Sequence, residues 1–371
     1  MPEKLMMSSY TMNPATLKKV AETELRENSK TRKRALRELR DWFKTQPHIS
    51  GCRTDNNFLL RFLRMKKFEV GDTIKILDKY LRMRSQNPSW FANLDINEPK
   101  LNQLISDGYV FVLPQRDSKG RKVVYSRAAA MDSNLFTATD VMRAHLLTFE
   151  ALLEDEDVQV NGVTYVFDER DVNWSHISVW TPSEVSKAFS CCERALPLRH
   201  REIHFVHLPW TMSLVFQFAK SLLSQKLRER FRTHANFEKL AEHIPDSILP
   251  AEAGGGTGQQ KDGVPMSEMI DQWKAVLEAR REIILSLDQI EYSIENMQST
   301  TTATGQTANN NKKTSSSSSS PIATDSSADS TSNSTSSTKT SMRRSSNTNT
   351  STAASEVIDV MASVCKIDVS S

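Results

Sequence analysis

An α/β fold, with a helical subdomain ahead of a mostly parallel sheet, follows from three features of the 371-residue chain. Up to Arg84 the apolar residues recur at helical spacing. From Tyr109 onwards short apolar strands alternate with helical segments, and strands joined through helices run parallel. From Ser299 to Ser355 the chain is mostly Ser, Thr, Asn and Ala, with one Ile, one Met and no other large apolar residue. That stretch cannot bury enough surface to offset its ordering entropy and is expected to be a disordered tail. It also explains a hydrophobic content of 38%, low for a wholly packed protein. The expected units are 1–29, a partly helical segment; 30–90, the helical subdomain; 98–258, the α/β domain; 264–296, an amphipathic helix; and 297–371, the tail.

Taken in order, Ala15 to Lys44 reads as helix, with Leu36, Leu39, Trp42 and Phe43 on one stripe and Gln46-Pro47 and Ser50-Gly51 ending it. Asp55-Asn56 caps a helix through Phe58 to Arg64. Another helix runs from about Val70 to Arg84 and stops before Asn87-Pro88. Tyr109 to Pro114 and Lys122 to Ser126 are strands joined by the turn Asp117-Ser118-Lys119-Gly120. Helix Ala138 to Leu153, strand Val163 to Asp168, helix Pro182 to Arg194 and strand Ile203 to Leu208 follow. Trp210 to Leu223 reads as an apolar helix, Gly254-Gly255-Gly256 as a connector, and Met266 to Ile294 as one long amphipathic helix.

Composition and motifs exclude several functions. With 48 Lys+Arg against 45 Asp+Glu the formal charge is +3, which gives no basis for general nucleic-acid binding. No apolar run approaches the ~18 residues of a membrane span, and Met1 to Tyr10 has no signal-peptide pattern. Cys52, Cys191, Cys192 and Cys365 form no Cys-x-x-Cys pair, so reduced thiols in a cytosolic chain are expected. Gly254 to Gly258 is followed by Gln259-Gln260, not by the Lys and Ser/Thr that close a phosphate loop. His204 and His207 lie three apart on a strand, point to opposite faces and cannot chelate one ion. Glu154-Asp155-Glu156-Asp157 reads as a solvated loop, and no Gly-x-Ser-x-Gly elbow occurs. Without a catalytic constellation, the chain is not expected to be an enzyme.

The apolar faces carry more information. Met142, His145, Leu146 and Phe149 share a helix side; Val163, Tyr165 and Phe167 share a strand face; Ala188, Cys191 and Cys192 come together on the next helix. Plain core is the default reading of such stripes, although His145 and Tyr165 each need a hydrogen-bond partner if buried. Leu214, Val215, Phe216, Phe218, Leu222 and Leu223 wrap their helix, which is therefore either fully buried or spends time against lipid. A basic turn follows, in which Lys226 and Arg230 share a helix face; Arg199 and Arg201 point the same way from a strand. The plain reading of these charges is solvated surface, partnered by Glu202 and Glu229.

Phe58-Leu59-Leu60-Arg61-Phe62-Leu63-Arg64-Met65-Lys66-Lys67-Phe68 resembles the helical N-terminal signature of the CRAL-TRIO lipid-binding family, in the animal branch that holds cellular retinaldehyde-binding protein, α-tocopherol transfer protein and the clavesins. Further matches follow in the family's order: Asp107-Gly108-Tyr109, Leu113-Pro114, Arg116-Asp117, Asp140-Val141 with Arg143, Gln159 to Gly162, Ser175-His176, Thr181-Pro182-Ser183, Ile203-His204-Phe205 and Ile248-Leu249-Pro250. The resemblance covers roughly residues 30–295. It implies a helical subdomain packed on an α/β domain with a closed lipid pocket and a mobile gate helix. The implied pocket positions are Met142, His145, Leu146, Phe149, Val163, Tyr165, Phe167, Trp180, Ala188, Cys191, Cys192 and Leu196. The implied gate positions are Trp210, Leu214, Phe216, Phe218 and Leu222. A basic cleft for phosphoinositide head groups is implied on Lys66, Arg199, Arg201, Lys226 and Arg230, where every residue is basic.

The resemblance implies an intracellular carrier with no cofactor beyond a hydrophobic ligand (a retinoid, a tocopherol-like molecule or a phospholipid), exchanged at phosphoinositide-containing endomembranes. Two other readings stay open at this point. One is a phosphoinositide-reading scaffold with a structural internal lipid, whose tail recruits partners; Arg343-Arg344-Ser345-Ser346 in that tail resembles a basophilic kinase site, where phosphorylation would add negative charge. The other is an enzyme acting on lipid.

Overall fold

The computed structural model describes residues 13–255 and 263–293. The expected tail, Cys365, Arg343 to Ser346 and the end of the glycine connector lie outside the described residues. The chain starts with α1 (Pro14–Leu25), α2 (Ser29–Lys44), the short strand β1 (Ile49–Ser50), α3 (Asn56–Met65), α4 (Val70–Gln86), α5 (Pro88–Phe91) and α6 (Pro99–Ser106). Next come β2 (Val110–Arg116), β3 (Lys122–Arg127), α7 (Ala138–Leu153), α8 (Glu156–Asn161), β4 (Val163–Asp168), α9 (Trp174–Ser178), α10 (Pro182–Arg194) and β5 (His200–Val206). Then follow α11 (Ser213–Ser221), α12 (Gln225–Arg228), β6 (Phe231–His234), α13 (Phe237–Leu240), α14 (Met266–Ala279), α15 (Arg281–Leu285) and β7 (Glu291–Tyr292).

Five strands form one sheet in the order β2-β3-β4-β5-β6, with β2 antiparallel to β3 and the other pairs parallel. This is the expected α/β architecture with a helical N-terminal region. Register puts Val163, Tyr165 and Phe167 of β4 on one face with Ile203 and Phe205 of β5 and Phe231 of β6. Thr164, Val166 and Asp168 share the other face with His204, Val206 and His234. Gly162 leads into β4 at φ 81°, and a Cβ there would run into the Arg199 backbone carbonyl, so only glycine lets β4 and β5 approach at this end.

Several elements differ from the sequence reading. The helix expected from Ala15 to Lys44 is two helices, because Arg26 is left-handed (φ 62°) and Asn28 caps α2 by accepting from Thr31 N at 2.9 Å. The helix expected from Met266 to Ile294 breaks at Arg280 and ends in β7, which pairs with β1 through Ile49 and Tyr292. The apolar helix expected from Trp210 is a 3-10 turn, Trp210–Met212, followed by α11, which stops at Ser221. Lys226 and Arg230 do not share a helix face, since α12 ends at Arg228.

The acidic run is a further correction. Glu154 is no loop residue in water: it accepts from Arg53 Nη1 at 2.7 Å and from Arg61 Nη2 at 2.6 Å. Asp155 pairs with Arg280 at 2.7 Å, and Asp157 is buried against Arg116. One turn earlier on α7, the fully buried Glu150 accepts from Arg61 Nη1 at 3.1 Å and from the Tyr80 hydroxyl at 2.7 Å, with Arg84 3.6 Å away. Arg64 reaches Glu27 at 2.9 Å and Gln159 at 2.7 Å. The basic residues of α3 are therefore buried ties between the helical subdomain and α7–α8.

Candidate functional site

Packing is uneven around the sheet. On α7 thirteen of sixteen residues are buried; on α10, of comparable length, only Cys191 is. Ile177, Trp180, Ala188 and Cys192 on the α9–α10 side are half-buried, as are Phe167 and Phe205 on the sheet and Phe216 and Leu222 at α11. Apolar side chains that keep accessible surface thus occur on the Tyr165–Phe205 face, on α9–α10 and on α11. The pocket positions divide accordingly. Met142, Leu146, Val163, Cys191 and Leu196 are closed core, and Phe149 and Tyr165 are nearly so, while His145, Phe167, Trp180, Ala188 and Cys192 retain open surface.

An aromatic ladder runs along this face. Phe216 of α11 meets Phe205 edge-on at 4.8 Å between centroids; Phe205 stacks on Phe167 at 4.9 Å; Phe167 stacks on Tyr165 at 6.1 Å. Tyr165 meets Phe149 at 6.1 Å, Phe149 meets His145 at 5.8 Å, and His145 meets Tyr109 at 5.4 Å. Aromatic lining offers a large apolar surface that keeps its shape. The buried polar groups in it are paired: the Tyr165 hydroxyl lies 2.7 Å from His200 Nδ1, and the Tyr109 hydroxyl 3.0 Å from His145 Nε2. Burial lowers His145 to about 4 and raises the Cys192 thiol to about 12, so both are neutral near pH 7.

Of the gate positions, Trp210 is 86% exposed, Phe218 is buried and Phe216 and Leu222 are intermediate; Leu214 lies within α11. Phe216 ties α11 to the sheet through Phe205 and, at 6.1 Å, Phe231.

The basic positions gather in part. Arg199 bonds the Val160 carbonyl, Arg201 donates to the Asn161 carbonyl at 2.7 Å, and Arg230 bonds the His200 carbonyl. Burial pushes Arg199 down to about 10, with Arg201 and Arg230 adding repulsion; burial lowers Arg230 as well, again with Arg201 beside it. These three guanidinium groups form one cluster. Their acid is neither Glu202 nor Glu229: Glu202 pairs with Lys119 at 2.5 Å and Arg121 at 2.9 Å. Instead Glu24 of α1 lies 3.1 Å from Arg199 and 2.6 Å from Arg201. Burial works against the Glu24 charge, but hydrogen bonds from Arg201 and Arg199 hold its carboxyl below the usual range. The helix that brings Glu24 rests on a small apolar patch, Ala21 and Leu25 against Val160 of α8. Lys226 is exposed on α12, and Lys66 sits half-buried past α3, where its charge acts on Asp72.

His204 and His207 have separate partners: His204 Nδ1 lies 2.9 Å from His234 Nε2, whereas His207, past the end of β5 and left-handed at φ 58°, lies 3.8 Å from Asp168 on that same sheet face, so strand alternation does not extend to it. Among the described residues no group of three His, Cys, Asp or Glu side chains is arranged to hold a metal ion, and no helix is long and apolar enough to cross a membrane. Cys52, Cys191 and Cys192 are free thiols.

Two family models match the chain: CRAL/TRIO domain over residues 106–255, and Pinta-like, UBA domain over residues 28–101. Clavesin-2 of Rattus norvegicus and of Homo sapiens are each 36% identical to it over 245 residues, which is 66% of this chain and 75% of theirs. Clavesin-1 of Xenopus laevis is 34% identical over 245 residues, 66% of this chain and 74% of that one. A solved structure titled "Crystal structure of Sfh5" aligns with a TM-score of 0.45 and 15% identity, over 68% of this chain and 99% of that chain.

Proposed function

The chain belongs to the CRAL/TRIO domain family, in its clavesin-like branch, and from that premise we propose that it is a lipid-binding and lipid-transfer protein that takes up one hydrophobic molecule under α11 and exchanges it at anionic membranes. One observation carries this reading: aromatic and aliphatic side chains of the sheet face, α9–α10 and α11 stay half-buried, whereas α7 buries thirteen of its sixteen residues. Burying apolar surface contributes about 25 cal/mol per Å², so leaving such surface accessible costs stability that a bound lipid restores.

The physical problem for a lipid is desorption, because each CH₂ exposed to water costs ~0.8 kcal/mol. A protein that opens against the bilayer lets the tail pass without crossing water. Trp210 suits this role. It is apolar, exposed and adjacent to α11, and Trp rings settle at membrane interfaces. The Arg199, Arg201 and Arg230 cluster supplies attraction to phosphorylated head groups, at ~1 kcal/mol per basic residue near an anionic surface, reduced by salt. Trp210→Ala is expected to weaken binding to vesicles about tenfold while leaving the fold intact, since the ring packs on little. Vesicle co-sedimentation measures this, and unchanged binding would remove Trp210 from the docking face.

The reading is tested with donor vesicles made from a tissue lipid extract and acceptor vesicles of phosphatidylcholine with phosphatidylinositol bisphosphate. Transfer of one lipid class at a rate proportional to protein concentration is the expected result. A chain that holds its lipid and never delivers it would instead be a phosphoinositide-reading scaffold. A lipid returned chemically altered would make it an enzyme.

A further inference from the structure

Glu169 directly follows β4, and its backbone N–H donates to the Val206 carbonyl at 2.9 Å, which continues the β4–β5 ladder by one step. Strand alternation then puts its side chain on the face of Val163, Tyr165 and Phe167, the face of the aromatic ladder. The carboxyl is enclosed by protein yet keeps accessible surface, and it has no hydrogen-bond or ion-pair partner among the described residues.

The other charges at this end of the strand point away. Asp168 faces the opposite side, where it accepts from the Tyr125 hydroxyl at 2.9 Å and from Arg170 Nη2 at 2.6 Å, with His207 3.8 Å off. Arg127 is the register partner of Asp168 and lies 3.2 Å from Met266 Sδ. What Glu169 does face is Tyr109, whose phenol is raised first by burial and then by the Glu169 charge. Tyr109 is paired with the neutral His145 at 3.0 Å.

A carboxyl without a donor is costly inside an apolar lining, and native proteins rarely leave one so. We propose that Glu169 is the polar anchor of the bound lipid and selects ligands whose polar end carries an O–H or N–H donor. This rests on the reading above that the lined space holds a lipid, and goes beyond it by naming the ligand's chemistry. A hydroxyl or a primary ammonium satisfies the carboxylate. An ether, an ester or a quaternary ammonium offers it nothing, and a site built to hydrogen-bond rejects the analogue that lacks the bond. Burial, reinforced by the adjacent Asp168 charge, raises Glu169 to about 7. Above that pH the group is an acceptor; below it the carboxyl carries its own proton and can donate to an ether oxygen, so discrimination narrows.

The test loads the full chain from phosphatidylcholine vesicles containing matched pairs: retinol with retinyl methyl ether, cholesterol with its methyl ether, and phosphatidylethanolamine with phosphatidylcholine itself. The protein is reisolated and its retained lipid quantified by mass spectrometry. Whichever pair enters, the donor-bearing member is expected to exceed its partner by about tenfold at pH 8, with a smaller ratio at pH 6. Glu169→Leu is expected to retain as much lipid without the preference, and Glu169→Gln to keep a preference that no longer changes with pH. Equal retention of both members by the native chain, or an undiminished preference in Glu169→Leu, overturns the proposal and leaves the lipid-site reading standing. Retention of no lipid of any kind overturns both.

Discussion

Glu150→Ala is expected to cost the folded chain about 3–5 kcal/mol, the range for breaking a buried ion pair by removing one partner. The carboxylate sits between Arg61 at 3.1 Å and the Tyr80 hydroxyl at 2.7 Å, with Arg84 at 3.6 Å, and has no access to water. Its removal takes a carboxylate from Arg61 and Arg84 in a space lined by Phe58 and Phe91, whose rings lie 4.8 Å and 5.2 Å from the two guanidinium carbons. Arg61 keeps Glu154, and Arg84 keeps Asp288 at 3.4 Å and the Leu287 carbonyl at 3.1 Å, which is why the cost is not larger still. The denaturant midpoint should fall with little change in slope. A loss below about 1 kcal/mol would mean that water reaches these arginines and that the α3–α7 contact is not a sealed interface.

Neutralising Arg199 and Arg201 together to Gln is expected to weaken binding to phosphatidylinositol bisphosphate vesicles by about 2 kcal/mol, roughly 30-fold, at low salt. Glu24→Gln should act in the opposite sense. Its carboxylate occupies the two guanidinium groups that a phosphate would engage, and it rests on a helix held by a small apolar patch. Opposite signs from the two variants, both shrinking at high salt, would identify these arginines as the anionic-lipid contact. If the Arg199/Arg201 variant binds as the native chain does, the attraction lies elsewhere, with the exposed Lys226 the next position to test.

The period-two strands and the amphipathic helices of the α/β domain were legible because local spacing alone determines them: β4 and α7 begin and end where the apolar pattern does. Elements set by distant partners were not. Two-residue β1 and β7 have no period to read and exist only because residues 49 and 292 meet. The acidic run 154–157 looks solvated in sequence, yet Arg53, Arg61, Arg116 and Arg280 draw it into the structure. Arg199 and Arg201 were recognisable as one cluster by their spacing, but their acid is 175 and 177 residues away, and nearby Glu202 was the misleading candidate. The pocket positions could be named from the family's pattern, whereas which of them keep open surface depends on how α9–α11 sit over the sheet. Glu169 carries no apolar signal because the strand's apolar alternation ends before it, although the same alternation, carried one residue past β4, places it.

Enclosure of a lipid is the claim on which the rest depends, and native mass spectrometry of the full chain tests it most directly. After incubation with tissue-lipid vesicles and reisolation, the protein should carry one added lipid mass per chain, which organic extraction removes and identifies. A chain that stays at its polypeptide mass after every such incubation would contradict the account.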